Sequence, residues 1–309
     1  MTRTALVLGA SGGVGGETAR ALLAHGWTVR GLTRAPRSGD GIDWIAGDAM
    51  DRDAVLRAAE GAAAIVHAVN PPGYRNWDRV VLPMIENSIV AARAHDARLA
   101  LPGTIYNFDP ATSPVIAPET PQRPSTRKGA IRKRMEEAIE ASGVKAVILR
   151  AGDFFGPRPG SSWLSQGMIT PGKPVGRVMV PGRAGVGHAW AYLPDVGETF
   201  ARLLDLEAEL PRFARYHFAG HWDATNRALV DSIARVIGRP VRTWRTPWAL
   251  MPIVGLFNTT MREMVEMRPF WEHPVRLDNR ALVKAIGAEP HTPLDEAVRA
   301  TLAGLKSLA

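Results

Sequence analysis

The sequence lacks cysteine, which excludes disulfide bonds, thiolate metal sites and a cysteine nucleophile. It also lacks any run near the ~18 apolar residues that a membrane-spanning helix needs. The first residues, MTRTALVLGASGG, enter a strand pattern and do not have the layout of a cleavable signal. No metal-ligand spacing occurs among the eight histidines. We therefore expect a cytoplasmic protein with no metal and no membrane partner.

The charge is unbalanced, with 38 basic residues against 30 acidic ones and a net charge of +8. Most of the basic residues are arginines spread along the chain, including helices that also carry acids. A nucleic-acid binder more often gathers them on one face with interleaved aromatic residues. We therefore expect no nucleic-acid partner. With 309 residues and 46% apolar residues, the chain can form one large domain or a large domain plus a small one.

The order of elements predicts an α/β fold. Apolar strand patterns occur at 4–9, 27–34, 42–48, 63–69, 97–103 and 144–152, and helical patterns separate most of them. This alternation predicts a Rossmann-type doubly wound parallel sheet over residues 1–152. After it, a Gly/Pro-rich stretch leads to further helical patterns and a strand at 213–220. We expect residues 153–309 to form a smaller, mostly helical C-terminal substrate cap, with part of the chain free to return to the sheet.

A glycine loop, GASGGVGG (9–16), joins the first predicted strand to the first helix. Such a loop allows a tight turn, a close approach of the backbone to a pyrophosphate, and a helix N-terminus that faces the phosphates. Its position between strand and helix supports a dinucleotide site. The predicted cofactor contacts in the loop are Gly9, Ser11, Gly12, Gly13, Val14 and Gly15.

The end of the second strand predicts which cofactor binds. An acidic residue there suits the 2′-hydroxyl of NAD, whereas a basic one suits the 2′-phosphate of NADP. The chain has Arg34 at this point, so we predict NADP, with NAD the poorer ligand. Asp48 and Ala49, after the third strand, are placed to meet the adenine, although Asp48 could equally cap the following helix.

Several motifs resemble those of the short-chain dehydrogenase/reductase superfamily, in its extended or atypical branch. They are the glycine loop, Gly47-Asp48, HAVN (67–70), LPGTIYNF (101–108), RAGDFFGP (150–157) and HAWAYLPDV (188–196). The resemblance implies that Ala68, Val69 and Asn70 line the cofactor after the fourth strand. It also implies a structural role for Asp195.

The catalytic pattern of this superfamily is altered in the chain. Extended members have a pattern similar to S-x-x-x-Y-G followed by P-x-x-x-Y-x-x-x-K. When the chain is aligned with this pattern, Pro102, Lys128 and Arg132 take the places of the serine, the second tyrosine and the lysine. Thr104 and Tyr106 remain nearby. We expect one of these hydroxyls to polarise the substrate oxygen.

The stretch PSTRKGAIRKRMEE (124–137) predicts a helix whose first two turns carry five cations. Positive charge is unfavourable at a helix N-terminus. The stretch is also similar to the isoflavone-reductase and NmrA-like branch, which implies that Lys128 contacts the cofactor and acts as base or proton donor. We expect its ammonium group in the cofactor cleft, with Lys133 and Arg134 in solvent. The alternative is a solvated face with pairs such as Arg132–Glu136.

Aromatic residues after position 152 form a second candidate group. His188, Trp190 and Tyr192 alternate along an extended segment and so share one face. The predicted substrate-binding residues are these three together with Phe154, Phe155 and Trp163. Aromatic stripes are more often part of a core, which is the alternative reading.

Together, these patterns favour an NADPH-dependent reductase of a small, largely apolar carbonyl or conjugated substrate, with Lys128, Tyr106 and Thr104 as catalytic residues. Two alternatives stay open: an NAD(P)-dependent epimerase/dehydratase, and a non-catalytic NADP-sensing regulatory protein of the NmrA-like kind. The expected partner is a small-molecule substrate, and the sequence leaves monomer or homodimer undecided.

Overall fold

A seven-stranded parallel sheet forms the centre of the computed structural model, which describes residues 3–71, 76–158, 160, 162–256 and 259–308. Its strand order is β11-β7-β5-β4-β1-β2-β3. These strands are β1 Thr4–Leu8, β2 Thr28–Thr33, β3 Asp43–Ala46, β4 Ala64–His67, β5 Arg98–Thr104, β7 Ala146–Ala151 and β11 Phe213–His217. The order runs outward in both directions from β1 and β4, which confirms the predicted doubly wound sheet.

Helices cover both faces of this sheet. They are α1 Gly13–Ala24, α2 Arg52–Ala58, α3 Trp77–Ala94, α4 Arg127–Ser142, α5 Leu193–Asp205 and α10 Arg280–Ile286. Alternate residues of β1 enter two separate cores: Ala5 and Val7 pack with α1, α5 and α10, whereas Leu6 and Leu8 pack with α2, α3 and α4. Strands that are buried on both faces explain the nearly continuous apolar runs in the sequence.

The remaining elements form the cap. Its strands are β6 Val115–Ile116, β8 Asp153–Phe155, β9 Arg177–Val180, β10 His188–Tyr192, β12 His221–Asp223, β13 Arg242–Arg245 and β14 Arg276–Leu277. Its helices are α6 Ala228–Ile237, α7 Met251–Gly255, α8 Thr259–Val265, α9 Pro269–Glu272 and α11 Leu294–Gly304, together with a π-helical turn at Leu164–Met168. These elements enclose a third core of aromatic and aliphatic residues.

Part of the chain after residue 152 returns to the large sheet. Strand β11 pairs in parallel with β7, and α5 packs on α1. Asp195, at the start of α5, accepts hydrogen bonds from the backbone N–H and the hydroxyl of Thr292 at 2.8 and 2.7 Å. This contact ties the returning helix to the segment before α11. The predicted boundary between residues 152 and 153 stays a prediction.

A buried ion pair joins α4 to the sheet. Glu136 is 1% exposed, and its carboxylate accepts hydrogen bonds from Nε and Nη2 of Arg150, on β7, at 3.0 and 2.5 Å. Asn107 and Gln122 donate to the same carboxylate. His217 lies 3.1 Å from Nη1 of Arg150, and burial together with the Arg150 charge lowers the pKa of His217 to about 4. Glu136 therefore faces inward, and the Arg132–Glu136 surface pair considered from the sequence is wrong.

We expect Glu136→Ala to lower the free energy of unfolding by about 3–5 kcal/mol, because it leaves the Arg150 guanidinium buried without its carboxylate. Glu137→Ala is the matched control, since Glu137 lies in solvent beside Lys133 and its loss should change stability by less than about 0.5 kcal/mol. Urea unfolding of the three proteins measures the difference. A loss below about 1 kcal/mol for Glu136→Ala would contradict a stabilising role of the pair.

Candidate active site

The glycine loop lies where β1 meets α1, next to the end of β4. Gly9 has a φ of +88°, and a Cβ on it would lie 2.5 Å from the carbonyl oxygen of Ala68. A Cβ on Gly15 would lie 2.3 Å from the oxygen of Gly9. The N-cap residue Gly12 makes no side-chain cap and the first turn of α1 has no acid, so no side chain among the described residues caps the N–H groups that point out of the helix start. This cradle fits a cofactor pyrophosphate.

The other predicted cofactor residues follow neighbouring strands at the same edge of the sheet. Arg34 follows β2 and is exposed, and it has no ion pair within the described part of the chain. Asp48 follows β3 and accepts a hydrogen bond from the backbone N–H of Met50, while Asp51 caps α2. Ala68, Val69 and Asn70 follow β4. All of these positions surround the point where the strand order reverses, although their cofactor contacts stay predictions.

A second arginine and an acid stand close to this cradle. Arg158, on the loop after β8, lies 3.1 Å from Oε1 of Glu17, which is buried in α1. A Cβ on Gly160 would approach the backbone nitrogen of Gly13 to 3.5 Å. Arg158 and Gly160 therefore lie close to the first turns of α1, which the sequence patterns did not indicate.

A buried tyrosine, aspartate and histidine meet beyond the end of β5. The Tyr106 hydroxyl donates to Oδ1 of Asp153 at 3.3 Å, and Nε2 of His188 lies 2.8 Å from Oδ2 of the same carboxylate. The His188 ring stacks on Trp271 at 3.8 Å with an interplanar angle of 8°. One carboxylate thus orients a phenol and an imidazole. The sequence analysis considered Tyr106 and His188 but missed Asp153, which is brought to them because β8 pairs with β10.

Lys128 does not point into an open cleft, which corrects the expectation from the sequence. Its side chain is 1% exposed, and Nζ lies 2.5 Å from carboxylate oxygens of both Glu263 and Glu266. The backbone N–H of Lys128 also donates to Glu266 at 2.8 Å. Burial alone raises the pKa of Glu263, but the Lys128 hydrogen bond and neighbouring cations outweigh it and hold that pKa below its usual value.

The carboxylates of Glu263 and Glu266 explain how cations are accommodated at the N-terminus of α4. Glu263 and Glu266 bring negative charge from the cap to the N-terminus of α4, where the helix dipole favours it. Arg127 shares the same acids, while Lys133 pairs with Glu137 and Arg134 is exposed. Local sequence spacing could not indicate this pairing, because the acids lie about 135 residues after Lys128 in the chain.

The two remaining residues near the tyrosine have local partners. The Thr104 hydroxyl accepts from the backbone N–H of Tyr106 at 3.0 Å and so caps the 3₁₀ turn at Ile105–Asn107. Arg132 donates to the carbonyl oxygen of Pro102 at 3.4 Å and lies 5.3 Å from the Trp77 ring. Burial and the charge of Arg132 lower the pKa of His67, at the end of β4, to about 3. Arg132 therefore supplies positive charge at the ends of β4 and β5.

The predicted aromatic cleft is instead the core of the cap. His188, Trp190 and Tyr192 do share one side of β10, yet all three are buried. Phe155 and Trp163 pack into the same core, and Phe154 packs against the core of the large sheet. The shared face was correctly inferred, but it is covered by Trp271 and α9 rather than open. Their predicted substrate contacts stay predictions.

We expect Gly15→Ala to weaken NAD(P)H binding more than about tenfold, because the new methyl group meets the backbone of Gly9 and cannot be relieved by a side-chain rotation. Gly176→Ala is the control, since a Cβ there meets nothing within 4 Å. Fluorescence titration with NADPH and NADH measures both. Equal affinity in the parent and in Gly15→Ala would place the pyrophosphate elsewhere.

Comparisons with known proteins agree with this geometry. A family model described as NAD(P)H-binding matches residues 9–183, which include the glycine loop and strands β2 to β5. No curated protein matches the sequence.

Solved structures of sugar-nucleotide epimerases have a similar fold. UDP-glucose 4-epimerase from Brucella ovis in complex with NAD is 16% identical, with a TM-score of 0.76 and coverage of 99% of both chains. UDP-glucuronic acid 4-epimerase from Bacillus cereus in complex with NAD is 14% identical, with a TM-score of 0.76 and coverage of 98% of this chain and 96% of that one. UDP-glucose 4-epimerase from Bifidobacterium longum in complex with NAD+ and UDP is 15% identical, with a TM-score of 0.74 and coverage of 97% of both.

The likeness to these structures extends over the cap as well as the sheet, and it confirms the predicted Rossmann fold. Among the described residues no helix is long and apolar enough to cross a membrane, and no group of three or more His, Asp or Glu could hold a metal ion. Because the family model covers more than half of the 309 residues, the chain belongs to the NAD(P)H-binding family.

Proposed function

We propose that the protein is an NADPH-dependent reductase of a small, largely apolar carbonyl or conjugated substrate. The observation that carries this proposal is the position of Tyr106, Asp153 and His188. They lie beyond β5 and β7, on the side of the strand-order reversal opposite to Arg34. A dinucleotide that spans the reversal with its adenine half over β2 and β3 has its other half beside these residues.

The cofactor is held by the residues at the strand ends. The glycine loop and the N-terminus of α1 take the pyrophosphate, and Arg34 takes the 2′-phosphate. Asp48 and Ala49 line the adenine, and Ala68 to Asn70 line the centre. When bound, NADPH supplies the hydride.

The proton comes from Tyr106 in this proposal. Its hydroxyl is already oriented by Asp153, and a rotation about the C–O bond turns the hydrogen from that carboxylate toward a substrate oxygen. Asp153 and His188 act as positioning residues that hold the phenol in place. Lys128 is less suited to the role of proton donor that the sequence suggested for it, because its ammonium group is enclosed by two carboxylates.

The cap supports an apolar substrate. The residues around Asp153 and His188 are aromatic: the rings of Trp190 and Trp271 lie 4.9 and 3.8 Å from the His188 ring, and Phe270 lies 5.1 Å from the Tyr106 ring. These buried rings keep water from the cluster, and a substrate that reaches Tyr106 lies next to apolar side chains, which favours an uncharged substrate over a charged one.

The proposal predicts which cofactor the protein prefers. NADPH should bind more tightly than NADH, and Arg34→Ala should remove most of that preference by taking away the only charge that follows β2 directly. Arg123→Ala, an exposed arginine outside the site, is the control. Titrations in which NADH binds the parent equally well or better would overturn the NADP assignment.

The proposal also predicts which residue donates the proton. Tyr106→Phe should lower turnover by about 10²-fold or more, with a much smaller change in NADPH affinity, because only the hydroxyl is lost. Tyr216→Phe removes a hydroxyl from a largely buried tyrosine on β11 and should leave turnover nearly unchanged. Kinetics with a panel of enones, quinones and aldehydes measure both. If Lys128→Met lowered turnover at least 10²-fold and Tyr106→Phe did not, Lys128 would be the donor instead.

An NAD(P)-dependent epimerase/dehydratase is the second candidate. It is favoured by the likeness to NAD-bound UDP-sugar epimerases over nearly the whole length of both chains. Incubation with UDP-sugars, followed by separation of the isomers, distinguishes it from the reductase. Tight NADPH binding without turnover in either assay would favour the NADP-sensing alternative.

A further inference from the structure

The excess positive charge of the protein is concentrated in two stretches of the cap. Residues 154–194 and 232–262 contain nine arginines and lysines and no aspartate or glutamate. The rest of the chain has 29 basic residues and 30 acidic ones, so it is close to neutral. The even spread of charge that we inferred from the sequence is therefore wrong for this part of the molecule.

The structure brings these two stretches together as a two-stranded ribbon. β9 pairs in parallel with β13, with Arg177 opposite Arg242 and Met179 opposite Trp244. Residues that are paired across strands and separated by two along each strand share one face. On this face the Trp244 side chain is 59% exposed, and the Arg177 guanidinium lies 5.4 Å from its ring. The outer face of the ribbon thus combines two cations with two large apolar side chains.

Further apolar side chains follow directly after β13. Leu250, Ile253 and Leu256 are 58%, 59% and 75% exposed. Hydrogen bonds link the N–H of Ile253 to the oxygen of Leu250 and the N–H of Leu256 to the oxygen of Ile253, so a three-residue spacing places all three on one side. Met251 is buried and attaches the turn to the cap core. Exposed aliphatic residues at this spacing need a partner.

A cavity of about 500 Å³ lies beside the ribbon. Its lining includes Trp248, the arginines Arg183, Arg245 and Arg268, and one acid, Glu272. Arg268 pairs with Glu272, whereas Arg183 and Arg245 form no ion pair with the described residues. Trp248 donates its indole N–H to the oxygen of Pro181 and so joins this wall to the end of β9. The cavity suits a phosphate next to an apolar body.

We propose that this basic apolar surface, formed by β9, β13, α7 and the cavity, docks on a membrane rich in anionic phospholipid, with a lipid phosphate in the cavity. Indole and aliphatic side chains enter the boundary between headgroups and acyl chains, and arginines pair with the phosphates around them. The protein would lie on the membrane without spanning it. This departs from our sequence-based expectation of no membrane partner.

The observations favour lipid over two other occupants. A nucleic acid would use stacked aromatic rings and cations, and it gains little from Leu250, Ile253 and Leu256. A second copy of the chain, related by a two-fold axis through this face, would bring Arg177, Arg242 and Arg245 against the same arginines, and the one acid in the cavity lining, Glu272, is already paired with Arg268. An anionic membrane satisfies both the charge and the apolar side chains.

Flotation of the purified protein with vesicles tests the docking. Phosphatidylcholine vesicles containing phosphatidylglycerol should carry the protein, pure phosphatidylcholine vesicles should not, and added salt should weaken the binding. Equal binding to both kinds of vesicle, or to neither, would overturn the proposal. Tighter binding to duplex DNA than to the anionic vesicles would also overturn it, as would full displacement by soluble glycerol phosphate.

Two double variants locate the surface. Arg242→Gln with Arg245→Gln should weaken binding about fivefold for each arginine, and Leu250→Ser with Ile253→Ser should weaken it at least as much. All four side chains are exposed, so the fold is expected to remain intact. Arg123→Gln and Val115→Ser change an exposed arginine and an exposed valine elsewhere and should have no effect. Binding that is unchanged in both double variants would place the contact on another surface. The readout does not involve catalysis, so it is independent of the proposed function.

Discussion

The close approach of β1 to β4 is the constraint on which the rest of the structure depends. The chain turns sharply after β1 at Gly9, whose α-carbon lies against the carbonyl of Ala68, and α1 starts so near that Gly15 touches Gly9. Side chains at these points would push β4 or α1 outward. The result would be a wider crevice, without N–H groups aimed at its centre. The cofactor cradle is therefore a consequence of how tightly β1, β4 and α1 pack. It lies at the place where the strand order reverses, between β1 and β4.

Helix α4 connects this sheet to the cap through charges on both of its sides. Glu136 on the inner side is enclosed by Arg150, Asn107 and Gln122. Lys128 at the outer end is enclosed by Glu263 and Glu266 from the cap. Each buried charge has a partner of opposite sign, as low-dielectric surroundings demand. The cap is thus attached at Lys128, the position that the resemblance seen in the sequence aligns with a tyrosine, and Tyr106 lies on the 3₁₀ turn that precedes α4.

The cluster of Tyr106, Asp153 and His188 depends on a close contact between two strands. Asp153 follows β7 after one glycine, and a Cβ on that glycine, Gly152, would lie 2.2 Å from the oxygen of Ala189. The close contact lets β8 lie against β10, which brings His188 and Asp153 within hydrogen-bond distance. The phenol, carboxylate and imidazole come from three separate parts of the chain. Sequence patterns indicated Tyr106 and His188 but not that Asp153 joins them, because that contact is made by strand pairing.

The sequence by itself determined the sheet, the glycine loop and the order of the elements, because apolar periodicity and glycine placement act over a few residues. It also determined that Arg34 follows β2 and that His188, Trp190 and Tyr192 share a face. Only the tertiary structure decided what covers that face and which acids meet Lys128. It likewise decided that Asp153 joins Tyr106, and that two acid-free stretches form one surface. Each of these depends on contacts between residues far apart in the chain, for which local spacing carries no signal.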